Sequence, residues 1–388
     1  MNDLTTHLVS LIDTKRKATL LLSDAAVDAA ARPLLAAEKM HDFCEPVLVG
    51  QPERIRELSI NAPLCRERAA QLGKTTEEFV DYLLARTKIL DPSSQQCEAN
   101  RSALAGFCSE KFSREHIVSE KECKWMFEDP VLYAVAGTAG IEGTRREGHC
   151  VLGGLASTSR DFFIPTLRLH RHTGTVSMAV AFTFQNSTNP AGYAGDLLVI
   201  ADVAVVADMD SRRLADVTRG TAELTFDLFC PEPLDKVNVA MLSYSTGGSG
   251  SGGSVEMVRE AANLVREETR NDRTGRWERI ALTEELQFGP AVSEKAAAQK
   301  LDLSDHANGA AGKANVLIAP NLDTGNVLFH LHASYFRGCK YVLLPSGFDE
   351  HSVIDFSRSS RVNDVVNAAG AACARIQKLE DFRPIEHR

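Results

Sequence analysis

The chain reads as an α/β protein of two domains, each built on a mostly parallel sheet. Short apolar runs of strand length alternate with helical segments along its length, the pattern of βαβ units. Its 388 residues exceed what one core organises comfortably. The third observation is the stretch Val237–Glu268, which reads as a buried strand, a glycine-rich turn and a helix start. That junction is where open α/β sheets bind ligands.

Taken in order, Ala18–Leu22 is an apolar strand ended by Ser23 and Asp24, and alanine-rich Ala25–Met40 is helical by propensity. Glu45–Gly50 is a second strand, so the opening is a parallel βαβ unit. Residues 62–90 are helical and charged, with Thr75-Thr76-Glu77-Glu78 as a capped start. Asp91–Ser119 is polar, carries Cys97 and Cys108, and reads as a surface insertion. Val131–Gly137 follows as a helix, and Cys150–Gly154 and Thr175–Phe184 as strands. Asp196–Val206 is a further strand, then Ser211–Leu228 a helix. After the glycine-rich stretch come strands at Glu285–Phe288, Ala314–Pro320 and Tyr341–Pro345, a helix fragment at Lys295–Lys300 and a closing helix at Val362–Leu379.

Bulk composition excludes several classes. The chain is 44% hydrophobic and 24% charged with a net charge of −9, which argues for a soluble protein and against a nucleic-acid binder. No apolar run reaches membrane-spanning length, and the N-terminus lacks a signal-peptide pattern. Glu386-His387-Arg388 is not a peroxisomal tail. The nine cysteines include no Cys-x-x-Cys pair and read as reduced thiols of a cytoplasmic protein. His170 with His172, and His330 with His332, stand two apart with no carboxylate at ligand spacing, so no metal site is expected.

Four places just after strands carry possible chemistry. The loop Ser245–Ser254 contains Ser245, Thr246, Gly248 and Ser249 ahead of a helix. Bare N–H groups and hydroxyls at the positive end of a helix dipole suit an anion. Composition alone would equally allow a flexible linker; the buried strand and amphipathic helix on its flanks favour the anion loop. Pro320–Asn326, with Asn321, Gly325 and Asn326, is either a capped turn or a ligand contact. Asp355–Asp364 combines Ser357, Arg358 and Asp364 before a helix; guanidinium suits phosphate and a carboxylate can act as base, although composition alone favours a Ser-capped helix start with a solvated charge cluster. Ala156–Arg160 is small, hydroxylic and basic, with Ser157, Thr158 and Arg160.

Several strings occur in the order and spacing of one family. They are EPVLVGQPERI at Glu45–Ile55, LLVIADVAVVADMD in Phe184–Ala222, VAMLSYSTGGSG at Val239–Gly250, EELQF at Glu284–Phe288 and GKANVLIAPNLDTGN at Gly312–Asn326. With them the chain resembles the phosphotransacetylase family of phosphate acetyl/butyryltransferases over nearly its whole length, least so over Asp91–Ile141. The resemblance implies reversible acyl transfer between coenzyme A and phosphate, in a homodimer of two three-layer αβα domains of the isocitrate/isopropylmalate dehydrogenase kind, with the site in the interdomain cleft. Residues 1–174 with 346–388 would form the first domain and 175–345 the second. Coenzyme A and acetyl-CoA would be substrates, with no bound cofactor. The family's Ser-Arg pair, with an Asp seven positions after the Ser, is matched by Ser357, Arg358 and Asp364. By resemblance Asp364 accepts the coenzyme A thiol proton, Ser357 hydrogen-bonds the oxyanion or thiol, and Arg358 holds phosphate. A thiol of pKa about 8.5 needs such a base at neutral pH.

The chain also departs from the family. Ile164 stands where an arginine usually precedes the proline, with Arg160 and Arg168 on either side as substitutes, and Gly247 replaces the loop lysine. His351-Ser352-Val353-Ile354 replaces a Lys-Pro-Val-Asn run, Ser359 replaces a glycine, and Arg86 matches a further family arginine loosely. These changes allow a longer acyl group such as butyryl, or a weakly active or inactive paralogue that binds coenzyme A. A dehydrogenase of similar architecture is disfavoured, since no Gly-x-Gly-x-x-Gly with a following acid occurs.

Overall fold

The computed structural model describes residues 3–112, 126–158, 160–184, 196–230, 234–305, 309–336 and 339–385. Ser159, the last part of the Asp91–Ser119 region, and Glu386–Arg388 lie outside the described residues. Eleven strands are described: β1 (Thr19–Leu22), β2 (Glu45–Val49), β3 (Lys88–Leu90), β4 (Cys150–Gly153), β5 (His172–Thr183), β6 (Leu197–Ala201), β7 (Val237–Leu242), β8 (Ile280–Leu286), β9 (Val316–Ile318), β10 (Lys340–Phe348) and β11 (Val353–Asp355). They form two mixed α/β units, one of Leu8–Arg171 with Phe348–Arg388 and one of Met1–His7 with His172–Gly347.

The Leu8–Arg171 unit holds a five-stranded sheet in the order β11-β4-β1-β2-β3. Every described pairing in it is parallel. Leu20–Leu22, Val47–Val49 and Cys150–Leu152 are all buried. Continuous apolar runs of this kind belong to strands covered on both faces. The helix Arg32–Met40 packs against the closing helix Val362–Ile376. Ala368, Ala369, Ala371, Ala372 and Ala374 of that closing helix are buried, and residues this small let neighbouring backbones approach closely. Thr75 accepts from Glu78 N–H while the Glu78 carboxylate accepts from Thr75 N–H, the capping box read from the sequence.

Two expectations fail in this unit. Ala25–Ala31 is not helical, despite its alanines. The Asp28 carboxylate accepts from Ala30 N–H and Arg32 N–H, and Ala31 sits at φ 54, so the chain turns there and the helix starts only at Arg32 with Pro33 in its first turn. The supposed insertion is no surface loop: Glu98–Phe112 is a helix, and Cys97, Leu104, Ala105 and Cys108 are buried. Beyond these, Lys88–Leu90, read as the end of the helical stretch 62–90, is an edge strand, and β11 had no counterpart among the sequence-read elements.

The other unit carries a six-stranded sheet in the order β10-β5-β6-β9-β7-β8. β5 and β6 are antiparallel, while β6–β9, β7–β9 and β7–β8 are parallel. Phe182, Phe184, Phe329 and Tyr341 cluster on one side of it. The strand expected over Asp196–Val206 ends at Ala201, because the buried Asp202 carboxylate gathers Met178 N–H at 2.7 Å and Val205 N–H at 2.9 Å and bends the chain. The strand expected at Glu285–Phe288 runs earlier, Ile280–Leu286, and Phe288–Val292 is helical. Residues 1–7, expected with the first domain, go with this unit: Leu4 is buried, His7 stacks on Phe229 and its Nε2 lies 2.8 Å from Leu228 O.

Candidate functional site

In the Leu8–Arg171 unit the register sets three loops at one edge. Leu22 pairs with Leu152, and Asp355 pairs with Gly153. The segments that follow β1, β4 and β11 therefore leave the carboxyl edge of the sheet side by side. Between the last two lies a pocket of about 210 Å³ lined by Gly154, Ser157, Thr158, Asp355, Phe356, Ser357 and Arg358. Ser157 and Thr158 thus meet Ser357 and Arg358, residues 200 positions apart in the chain. Gly154 makes this possible. It has φ +82, and a Cβ there would fall 2.2 Å from Asp355 Oδ1 and 2.7 Å from Phe356 O.

The loops are held by a buried ionic core that the sequence reading did not single out. Asp24, after β1, accepts Ser157 Oγ–H at 2.8 Å and Ala156 N–H at 2.9 Å. Arg32 is the clamp: Nε and Nη2 bind the two oxygens of Asp28, Nη2 also reaches Leu155 O at 2.7 Å, and Nη1 reaches Arg358 O and Ser360 O, each at 2.8 Å. One guanidinium so ties the β4 loop to the Ser-Arg turn, a use of its planar five-donor fork that lysine lacks. The traces of this core in the sequence were the four-residue spacing of Asp24, Asp28 and Arg32 directly after a strand, and an acid at the last residue of β11.

Asp355 differs from Asp24 in its surroundings. Burial, with the nearby charge of Asp24, pushes the Asp355 carboxyl up from 3.8 to about 7. Burial also raises Asp24, against the opposing pull of its hydrogen bonds. Among the described residues no donor meets the Asp355 carboxyl and no carboxylate pairs with the exposed Arg358 guanidinium. Ser357 Oγ lies 2.9 Å from Ser359 Oγ, and Thr158 donates its hydroxyl to Asp161 at 2.7 Å.

Other expected residues sit elsewhere. Asp364 is buried and does not line the pocket; its Oδ2 accepts Arg361 N–H at 2.7 Å and closes the first turn of the helix Val362–Ile376. Arg160 and Arg168 are exposed outside the pocket, and the carbonyl of Arg168 accepts from Lys111. Arg86 packs over the Tyr82 ring at 5.3 Å, two residues ahead of β3, and so stands at the amino edge of the sheet, opposite the pocket.

In the second unit the Gly/Ser loop follows β7 and precedes the helix Gly253–Thr269, as read from the sequence. Its donors, however, are largely taken from within. Glu285 Oε1 accepts Ser245 Oγ–H at 2.6 Å and Gly248 N–H at 2.7 Å, while Oε2 accepts Arg259 Nε–H at 2.6 Å. Ser245 Oγ in turn accepts Gly250 N–H, Ser249 Oγ accepts Thr246 N–H, and Thr246 Oγ1 accepts Gln287 N–H. The nest expected to cradle an external anion thus holds the chain's own carboxylate. Those hydrogen bonds and Arg259 lower the Glu285 pKa against the opposing effect of its burial. Gly247 has φ +55, and a Cβ there would fall 2.6 Å from Leu301 Cδ2.

Asn321 caps the helix Leu322–Tyr335 by accepting Thr324 N–H and Oγ1–H. A Cβ on Gly325 would lie 1.9 Å from Asp202 O, and Asn326 donates to Val203 O at 3.2 Å. These three residues therefore pack the helix against the bend after β6. Among the described residues no group of three His, Cys, Asp or Glu could hold a metal ion. His170 is buried with Nδ1 2.8 Å from Ser352 Oγ and Nε2 2.9 Å from Val135 O, which pins it as a packing residue.

Fold and pocket together define an α/β protein with an oxyanion-sized polar pocket at the carboxyl ends of parallel strands. The family described as phosphate acetyl/butaryl transferase matches residues 144–373, more than half of the chain, and the chain belongs to it. A phosphate acetyltransferase from Clostridium acetobutylicum is 28% identical over 350 residues, 89% of this chain and 92% of that protein. One from Borreliella burgdorferi is 30% identical over 227 residues, 57% of this chain and 59% of its own length. The fold is that of a phosphotransacetylase from Streptococcus pyogenes, with TM-score 0.73 and 21% identity over 97% of this chain and 98% of that one. It is equally that of a phosphotransacetylase from Staphylococcus aureus, with TM-score 0.71 and 19% identity over 96% and 98%.

Proposed function

We propose that this protein is a phosphate acyltransferase, with acetyl-CoA and phosphate exchanging for acetyl phosphate and coenzyme A. The observation that carries the reading is the pocket shared by Ser157, Thr158, Ser357 and Arg358 in a member of this family. A phosphate oxygen attacks the thioester carbonyl, the C–O bond forms, the C–S bond breaks and the thiolate leaves. In reverse the thiolate attacks the acyl phosphate. Arg358 offers paired N–H donors to phosphate, and Ser357 offers a hydroxyl to the carbonyl oxygen as charge develops there. The family position assigns the thiol proton to Asp364, although its carboxylate is buried and stands outside the pocket of Ser357 and Arg358. Among the described residues its Oδ2 accepts Arg361 N–H, and its Oδ1 has a 3.5 Å contact to Arg361 Nη2. Direct transfer needs no bound cofactor or metal.

The working form is a cytoplasmic homodimer. Val327, Leu331 and Tyr335 repeat every fourth residue on the helix Leu322–Tyr335 and are 64%, 44% and 77% exposed, an apolar stripe suited to a second copy. The eight described cysteines are free, which accords with a reducing compartment. Tyr335→Glu should shift the protein to monomer in light scattering; an unchanged mass refutes that face as the interface.

Purified protein tested with acetyl-, propionyl- and butyryl-CoA in phosphate and in arsenate decides the activity and the acyl preference. Ser357→Ala and Arg358→Gln should each lower phosphate-dependent thioester cleavage by about 100-fold or more. Unchanged rates in Ser357→Ala and Asp364→Asn together would remove this site assignment. A second reading, a paralogue that binds acyl-CoA without turnover, is favoured by Gly247, whose φ of +55 strains the lysine that the family carries there, and by the exposed Ile164 where the family has arginine. It predicts a calorimetric signal with coenzyme A and no cleavage.

A further inference from the structure

The pocket contains a group that the proposed reaction leaves without a task. Asp355 ends β11, lines the cavity beside Arg358, and has no hydrogen-bond donor among the described residues. An ionised carboxylate is an odd neighbour for an anionic substrate. Two like charges within a few ångströms repel, and partial burial strengthens the repulsion. A bare carboxylate is useful to an oxyanion in one circumstance, when that oxyanion carries a hydrogen to donate.

We infer that Asp355 recognises the P–OH hydrogen of inorganic phosphate, so that the pocket takes phosphate and rejects sulfate. The inference rests on the phosphate acyltransferase reading and deepens it by assigning the pocket's anion selectivity. Phosphate keeps at least one P–OH at neutral pH, and arsenate keeps an As–OH. Sulfate is fully deprotonated and has only acceptor oxygens. It would set a lone-pair oxygen against the Asp355 carboxylate, and the site's unmet acceptor would oppose binding.

The surrounding charges make the arrangement selective. Arg358 supplies the cation, and Ser157 and Thr158 bring hydroxyls from the β4 loop. The Thr158 hydroxyl is committed to Asp161, and the Ser157 hydroxyl to Asp24. Neither hydroxyl is therefore free to donate into the pocket. Each of these oxygens also accepts a backbone N–H, from Gly154 and Asp161, so among the described residues the Asp355 carboxyl is the acceptor left open beside the Arg358 guanidinium and the Ser357 hydroxyl. An oxyanion bearing one hydrogen can satisfy that one acceptor, and an oxyanion without a hydrogen cannot. Asp24 adds negative charge from the β1 loop and favours a neutral or hydrogen-sharing Asp355. The Arg32–Asp28 pair behind the loops is committed to backbone carbonyls, so its charge is largely cancelled locally.

The test uses isothermal titration of the intact chain with inorganic phosphate, arsenate and sulfate, at constant ionic strength and at pH 6 and pH 8. At pH 8 phosphate and arsenate should bind at least about tenfold more tightly than sulfate, the cost of one unmet polar partner. At pH 6, where Asp355 carries its own proton and can donate, sulfate affinity should rise severalfold and narrow the gap. Asp355→Asn keeps the shape and supplies an N–H donor; it should bind sulfate at pH 8 as the wild type does at pH 6, with its preference for phosphate lost. Equal binding of phosphate and sulfate by the wild type at pH 8 overturns the inference, and so does an unaltered preference in a folded Asp355→Asn protein. If that variant fails to fold, the wild-type pH comparison decides alone. Absence of acyl transfer with preserved phosphate preference would instead reject the activity and leave the pocket's selectivity standing.

Discussion

Replacing Asp355 with asparagine should stabilise the protein at alkaline pH, and the size follows from the carboxyl's surroundings. Burial beside Asp24 moves the group from 3.8 to about 7. A group whose folded pKa is raised favours the folded state fully below the unfolded value. That stability is lost as pH climbs through the window between the two values. A difference of one between the folded and unfolded pKa is worth about 1.4 kcal/mol, so the ionised carboxylate costs the folded protein on the order of 4 kcal/mol above pH 7. Asparagine carries no charge and escapes the cost. The difference between variant and wild type should therefore be small near pH 4, grow by about 1.4 kcal/mol per pH unit, and level off above pH 7. Urea unfolding of both proteins from pH 4 to pH 9 measures it, and melting temperatures at pH 8 should differ by several degrees. Taking the difference cancels other titrating groups, such as buried His170, whose pKa burial lowers to about 4. An advantage independent of pH, or none at pH 8, would refute a desolvated carboxylate at this position. A stabilising substitution that also blurs anion choice is what a site retaining an unfavourable group for function predicts.

Arg32→Ala strands the Asp28 carboxylate and three carbonyls, and should cost about 3–5 kcal/mol in denaturant unfolding while abolishing turnover; Arg32→Lys should not restore either, because one ammonium cannot reach that set. Glu285→Ala frees Ser245 and Gly248 of the Gly/Ser loop, and should lower stability by about 1–2 kcal/mol while raising that loop's hydrogen exchange; because the folded-state pKa is lowered, the charge-dependent part of the effect is full above the ordinary carboxylate range and fades as pH falls through the lowered value. Gly154→Ala drives a methyl into Asp355 and Phe356 O, and should cost about 2–4 kcal/mol and lower phosphate affinity in calorimetry.

Much of the architecture was legible because it depends on neighbours in sequence. Apolar runs of four to six residues became β1, β2, β4 and β7, buried on both faces. The Thr75–Glu78 box and the amphipathic helix after the Gly/Ser loop formed as their local patterns require. Ser157, Thr158, Ser357 and Arg358, chosen because each follows a strand, line one pocket. The errors share a cause. Alanine propensity favoured a helix at Ala25–Ala31, but Asp24 and Asp28 bind that backbone and the β4 loop instead. The Gly/Ser loop looked like a vacant anion nest, until Glu285, some forty residues later, filled it.

The sequence by itself determined most of the buried strands and amphipathic helices, which turns carry hydroxyls and guanidinium, and, through several ordered strings, the family. Only the tertiary structure decided which of those turns meet, that Arg32 binds carbonyls of residues 155, 358 and 360, and that Asp355 rather than Asp24 is the carboxyl left without a donor. The reason is physical. Strand and helix formation follow from dihedral preference and apolar period over a few residues, whereas the charge state and hydrogen bonding of a side chain depend on desolvation and partners that arrive from distant parts of the chain.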